Sequence, residues 1–552
     1  MRHYRAAHYR AWMARMLGGI APGARALFIA LDVFLSVYIT FVAYTMDSQI
    51  FTTRTNTALA LGTTCVFAAL LFHGLLALCH ALRNRGAAFA REAETFPWRT
   101  FCAVAGACFL VFILALLAYG GMSEDTETQW QQVQSGQFSD WHPAGNTLLL
   151  WLIAQAARTY SATLSVLILA FSLALGYLVA VLRRWGLRAG GVAAVACFLV
   201  LNHSVRDVLL YLKDGVMTIF LTALMGMVLN IYFSDGRWLA RYRNLVACGL
   251  MMAMTTLMRH NAFFFTGPLL LLVLLAYGRT LGWRRGAALL AVAAGLLAGI
   301  QGPLFTAVGV ERNPGHQTYV ESIGMPMTIL ADAYYKDRDS MPPDARQQME
   351  AYAPEAVWAM YNPGDYNSIK FITRQGAINM AADLPVGPFL SMAWRTAKAC
   401  PRIAFEAVRE LTRMAWQLPG PYGVQFRPSP RGESSAPPLP SDHPLRKAAA
   451  ALIEKLDQSL NIQAYRWVSE TIGLQMLCLM LLGLWAVYRM GWRVLLLVAP
   501  TVAYNLGTML LLCGPDYRFF HFNLVLNLPL CLALCARAGR ADAAGPAPRA
   551  NA

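Results

Sequence analysis

RTFCAVAGACFLVFILALLAYGGMSEDTETQWQQVQSGQFSDWHPAGNTLLLWLIAQAA, residues 99–157, decides how the rest of the chain is read. It opens with an apolar run long enough to cross a bilayer, 99–119. A loop follows that holds Glu124, Asp125, Glu127 and Asp140 but no Lys or Arg, and then His142-Pro143 leads into a second apolar run. That run, 143–157, is too short for a helical span, which needs about 20 apolar residues. It is expected to lie at the interface or to re-enter.

The same apolar rhythm extends in both directions. Spans are expected at 26–46, 57–82, 99–119, 160–182, 188–203, 214–234, 243–258, 262–278, 285–308, 467–488, 492–513 and 518–537, about twelve in all. With 57% of its 552 residues apolar and 14% charged, the chain reads as an all-α polytopic membrane protein. A net charge of +16 would suggest nucleic acid in a soluble protein. Here the excess is arginine in short links, which reports orientation, so no nucleic-acid partner is expected.

With the N-terminus inside, the basic links at Arg83–Arg99, Arg183–Arg188, Arg237–Arg243, Arg279–Arg285, Arg489–Arg493 and Arg537–Arg540 all fall on the cytoplasmic side. If 143–157 crossed, Arg183 and Arg184 would be outside, which argues against crossing. The basic start with no small-residue cleavage site predicts an uncleaved first span. An excess of 40 Arg over 6 Lys, with abundant Ala, points to a GC-rich bacterial genome and a multi-pass protein of the inner membrane, both termini cytoplasmic. Of eleven cysteines, all but Cys400 and Cys513 lie inside apolar runs, so neither a disulfide framework nor a metal site is expected.

Four regions follow: a transmembrane bundle (1–308) with an outer loop at 120–157, a mostly helical periplasmic loop unit (309–466), C-terminal spans (467–540) and a disordered tail (541–552). The loop unit carries turn signals at Asn313-Pro314-Gly315, Met341-Pro342-Pro343 and Asn362-Pro363-Gly364. It also has an amphipathic stretch from Phe389 to Trp416 suited to a bilayer surface, and a link at 427–444 whose six prolines predict an extended, poorly ordered chain.

The polar residues at span ends are one-sided. Asp125, His142, Asp207, Lys213, Asp214, Arg259, His260, Asp516 and Arg518 all sit at the ends assigned outside, where a site would gather them. Asp32, inside the first span, is costly in lipid and should face the bundle, where a structural partner is expected.

An acidic residue at the outer mouth of a span, in a loop returning through His-Pro and a short helix, resembles the first outer loop of the GT-C superfamily. These are membrane glycosyltransferases using polyprenyl-phosphate sugars, including protein mannosyltransferases and aminoarabinose transferases. Arg206-Asp207, Lys213-Asp214, Arg259-His260-Asn261, Gly514-Pro515-Asp516-Tyr517-Arg518, Glu321–Pro326 and Gly364–Lys370 extend the resemblance thinly along the chain, toward a largely uncharacterised bacterial branch. His-Pro-Ala stands where better-known members have His-Pro-Pro.

The resemblance implies a GT-C-like architecture and a periplasmic site, with Asp125 as catalytic base or acceptor-orienting group. Chemically, a carboxylate in reach of an acceptor hydroxyl or amine can take its proton, while fixed cations hold the departing phosphate. Arg259, pinned between two spans, is the first choice for the phosphate, with Lys213 and Arg518 next. Glu124, His142, His260, Asp207, Glu321 and Lys370 are candidates for substrate contact. No cofactor is expected; a divalent cation bridging Asp125 to phosphate is the weaker alternative, since the loop has no DxD pair. The expected partners are a polyprenyl-phosphate sugar, membrane lipid and an envelope glycan, lipid or protein acceptor. A flippase for lipid-linked saccharides, a glycan polymerase or ligase, and a non-catalytic assembly or sensor role are the competing readings.

Overall fold

A backbone inside hydrocarbon must satisfy its own hydrogen bonds, and helices do so locally. The computed structural model describes residues 2–20, 22–45, 54–82, 95–206, 214–312, 319, 322–370, 384–418 and 438–543, and apart from two isolated bridges all regular structure among them is helical. Its longer helices are α1 (Arg2–Leu17), α2 (Pro22–Thr45), α3 (Arg54–Ala81), α4 (Trp98–Tyr119), α5 (Glu124–Ser135), α6 (Ala144–Ala157) and α7 (Tyr160–Arg184). They continue with α8 (Ala189–Leu201), α9 (Asp214–Phe233), α10 (Tyr242–Met258), α11 (Phe263–Leu281), α12 (Trp283–Gly299), α13 (Gly324–Asp337) and α14 (Pro343–Tyr352). The last are α15 (Val386–Ala399), α16 (Pro401–Trp416), α17 (Pro444–Leu460), α18 (Gln463–Glu470), α19 (Ile472–Met490), α20 (Leu495–Leu510) and α21 (Phe522–Ala543).

Among the described residues, ten helices are long and apolar enough to cross a membrane, which makes this a multi-pass membrane protein. Two expected spans are shorter than that. Residues 188–203 form α8, only 13 residues, and 243–258 form α10, 17 residues. Both are nonetheless built into the bundle, with Val195, Leu199, Leu245 and Cys248 fully buried.

The basic links gather at one end. Trp185, at the end of α7, stacks on Phe233 at 5.4 Å and donates Nε1–H to Asn230 Oδ1 at 2.9 Å, which ties the ends of α7 and α9. Around them guanidiniums lie over aromatic rings: Arg184 on Trp185 (5.7 Å), Arg284 on Trp283 (5.6 Å), Arg285 on Tyr242 (5.8 Å), Arg489 on Trp485 (5.5 Å) and Arg493 on Tyr277 (5.5 Å). Such cation–ring pairs suit the headgroup layer, where one face is apolar and the other wet.

At the opposite end lies α6, which at 14 residues is shorter than the ten candidate spans. A Cβ on Gly145 would lie 2.7 Å from Leu257 O, so the start of α6 touches the end of α10. Arg158 then takes a left-handed φ of 61° and the chain reverses into α7, whose Tyr160 meets Trp130 of α5 edge-on at 5.4 Å.

The 309–466 region builds a core of its own from Met327, Leu330, Tyr334, Met349, Trp358 and Phe389. At its centre the buried Asp332 accepts from Tyr361 OH, the Gly364 amide and Lys336 Nζ, each at 2.7 Å. This pins the turn at Asn362–Asp365, where Gly364 has φ +78°. The turn docks on the segment before α21: the Asn367 amide donates to Cys513 O at 3.0 Å, and Gly324 is pressed against Leu512. The expected amphipathic stretch is two helices, α15 and α16, broken at Cys400-Pro401. The return to the bundle is α17, whose Arg446 Nε donates to Ala118 O at 3.3 Å and whose Asp457 takes Arg206 at 3.1 Å. The Asn313-Pro314-Gly315 turn, most of the proline-rich link and the tail beyond 543 lie outside the described residues.

The seating of the loop unit depends on bare backbone at Gly324, where a Cβ would fall 2.2 Å from Leu512 O. Gly324→Ala is expected to destabilise the protein by about 3 kcal/mol, as overpacking does. Gly190→Ala, in α8 with nothing within 4 Å, should be neutral or stabilising by up to about 1 kcal/mol. Thermal unfolding in detergent reads both, and equal midpoints would show that the unit does not seat there.

Candidate functional site

Ser123 decides where Asp125 points. As N-cap of α5 its Oγ accepts from the Thr126 amide at 3.4 Å, so the acidic run expected as loop is the first turn of a helix, where carboxylates are favoured. From that turn Asp125 Oδ2 accepts from Arg518 Nη1 at 2.8 Å, and its Oδ1 lies 3.7 Å from His142 Nε2. His142 is buried and stacks on Trp141 at 4.6 Å. Just before it, Asp140 Oδ1 accepts from the Ala144 amide at 2.8 Å, which caps α6.

Arg518 is held from both sides. Asp516 Oδ2 lies 2.7 Å from its Nε, and Asp516 Oδ1 accepts from the Arg518 amide at 3.0 Å. The neighbouring Phe519 ring then carries two cations, Arg518 at 5.0 Å and Arg259 at 4.9 Å from its centroid. Two guanidiniums against one ring bring Arg259 into the same charged cluster as Arg518 and its partner Asp125. Arg259 ends α10 and pairs with Asp214 at the start of α9, both nearly inaccessible. The helix dipoles favour each charge where it stands. Among the described residues, Asp214 Oδ2 is buried without a hydrogen-bond partner.

The loop unit supplies the opposite rim. A Cβ on Gly514 would lie 2.3 Å from Asp365 Oδ1, so only glycine lets this turn approach. Burial pushes the Asp516 carboxyl above the usual range even though Arg518 pulls it back. Asp365 is raised in the same way, by burial and then by the charge of Asp516.

Of the residues singled out by sequence, Asp125, His142, Arg259 and Arg518 are thus brought together. His260 sits at the edge, exposed, with Nε2 3.4 Å from Asp140 Oδ1. Lys370 is buried in the loop unit, donating to Asn367 Oδ1 at 3.4 Å and close enough to Asp365 to act on its charge. Glu124 opens α5, but its side chain is outside the described residues, as are Asp207, Lys213 and Glu321 altogether. Among the described residues no group of three or more His, Cys, Asp or Glu could hold a metal ion. Sequence reasoning gave no role to Asp214, Asp516, Asp365 or Phe519. The signals were present: a carboxylate opening a helix, another two residues before Arg518, and an aromatic right after it.

Asp214→Ala would leave the Arg259 guanidinium buried and unpaired. It is expected to cost about 3–5 kcal/mol in thermal unfolding, most of it recovered when Arg259→Met is added. Asp516 gives a second test. A carboxyl that binds its proton more tightly in the native than in the unfolded chain adds stability at low pH, and that gain fades as pH rises through the native value. Wild type should therefore gain on Asp516→Asn as pH falls from neutrality toward the ordinary carboxylate value of 3.8; a constant difference between the two would contradict the assignment.

Comparison of the chain with protein-family models, with curated proteins and with solved structures finds no match.

Proposed function

We propose that the protein is an inverting, C-type glycosyltransferase, taking a sugar from a polyprenyl-phosphate donor to an envelope glycan, lipid or protein acceptor on the periplasmic side of the bacterial inner membrane. The observation that carries this reading is Asp125 and two guanidiniums, Arg518 and Arg259, gathered around Phe519 at the end of the bundle opposite the basic links. By the positive-inside rule that end is periplasmic.

The roles follow from chemistry. As the sugar–phosphate bond breaks, charge collects on the lipid phosphate, and guanidiniums already fixed in place stabilise it without reorganisation. Arg518, only a quarter exposed, reaches the phosphate first, and Arg259 supports it from across the ring. While Arg518 holds Asp125, that carboxylate is a weak base; a phosphate that draws Arg518 away raises its basicity when the donor is bound. Asp125 then takes the acceptor proton, and His142 at 3.7 Å relays it onward. Asp214 Oδ2, without a hydrogen-bond partner among the described residues, accepts from a sugar hydroxyl, and the turn holding Asp365 and Lys370 lines the acceptor entrance.

Three carboxylates, Asp125, Asp214 and Asp516, face the two guanidiniums, so the fully ionised site is a poor home for another anion. The donor phosphate must therefore displace a carboxylate from its guanidinium, as it displaces Asp125 from Arg518.

The test is transfer of labelled sugar from polyprenyl monophosphate by the purified protein in vesicles. Asp125→Asn should lower the rate by at least about 100-fold, the usual worth of a general base, with the protein still accumulating. Arg518→Lys should weaken donor binding more than turnover. Unchanged transfer by Asp125→Asn, or donor flipping without transfer, would refute the reading.

A further inference from the structure

The costliest polar group in the bundle lies far from this site. Asp32 stands ten residues into α2, about 15 Å along the helix axis and hence near the middle of the span Gly23–Val42. Its exposure is 0%, and neither carboxylate oxygen has a hydrogen-bond partner among the described residues. One helical turn on, Ser36 is 1% exposed and its Oγ also lacks a partner. Residues four apart on a helix share a face, so three buried oxygens converge with no donor supplied to them.

Among the described residues the flanking helices offer no counter-charge. α2 packs on α3 and α19, and its far end meets α16, where Arg402 pairs with Glu406 and Arg409 and Arg413 pair with Glu410. From α3 the Cys79 thiol feels the charge of Asp32. The other ionisable groups there are engaged or exposed: His73 with Tyr9 and Ala69 O, His80 with Tyr488, whose hydroxyl goes to Met16 O, and Cys65 at the surface. On α19, Arg489 lies over Trp485 and Cys478 is exposed.

A bare carboxylate in this setting costs several kcal/mol, and intramembrane carboxylates of this kind mark ion or proton sites. With no donor or cation for it among the described residues, the carboxylate can draw its positive charge from solution. We propose that Asp32 and Ser36 form a monovalent-cation site within the bundle, taking H⁺ or Na⁺. The carboxylate supplies the charge and Ser36 Oγ a further ligand or hydrogen-bond acceptor. The site is separate from the Asp125 chamber and does not rest on the function proposed for it.

A cation that binds the folded but not the unfolded chain raises the unfolding midpoint with its concentration. The experiment follows thermal unfolding of the full-length protein in detergent across pH, in NaCl against choline chloride at equal ionic strength. For Na⁺, the wild-type midpoint should rise by several degrees with NaCl at alkaline pH. For H⁺, it should fall as pH rises, whatever the salt. Asp32→Asn, which keeps the shape without the charge, should remove either response. Ser36→Ala should weaken the Na⁺ response or move the pH response to lower pH, and it serves alone if Asp32→Asn does not accumulate. If wild type and the variants respond identically to pH and Na⁺, the proposal is overturned.

Discussion

A guanidinium leaves water only if carboxylates come with it, and the end of the bundle is organised around meeting that condition for Arg518 and Arg259. Arg518 is held by Asp125, from the first turn of α5, and by Asp516, from the turn before α21. Arg259 is held by Asp214, which joins the ends of α9 and α10. Segments that are remote in the chain are thereby fixed to a few ångströms. The same ion pairs that assemble this end leave little freedom for its chemistry, because each carboxylate is already spoken for until a ligand competes.

The loop unit is bound to this arrangement by contact of backbone with backbone. Asp332 sets a turn, the turn meets Cys513 and Gly514, and those residues lead directly to Asp516 and Arg518. A change inside the loop unit is therefore felt at the charged chamber through a short stretch of main chain.

Much of this was legible in sequence, and what was not has identifiable causes. Apolar runs and basic links give helices and a one-ended gathering of arginines, because both patterns are local. The expected spans 188–203 and 243–258 match α8 and α10 to within two residues, because Arg188, Asn202, Arg241 and Arg259 mark their ends. Ser123 was a readable N-cap, yet the acidic run after it looked like a loop until the cap was weighed. Asp125 and Arg518 were each visible, but their contact spans 393 residues of chain and depends on how α4 and α21 pack. Asp32 was expected to have a structural partner in the bundle; it faces the bundle, but no hydrogen-bond partner meets it among the described residues.

The aromatic-seated arginines at the far end carry one more implication. Each ties a helix terminus to the depth at which its ring is comfortable, and the five arginines stand on four segments, two of them at the start of α12. Piston-like sliding of one helix against its neighbours would drag a charge out of the headgroup layer. Any opening of the bundle is instead favoured as a splaying of the opposite termini about this anchored girdle, like a purse opening against its clasped base.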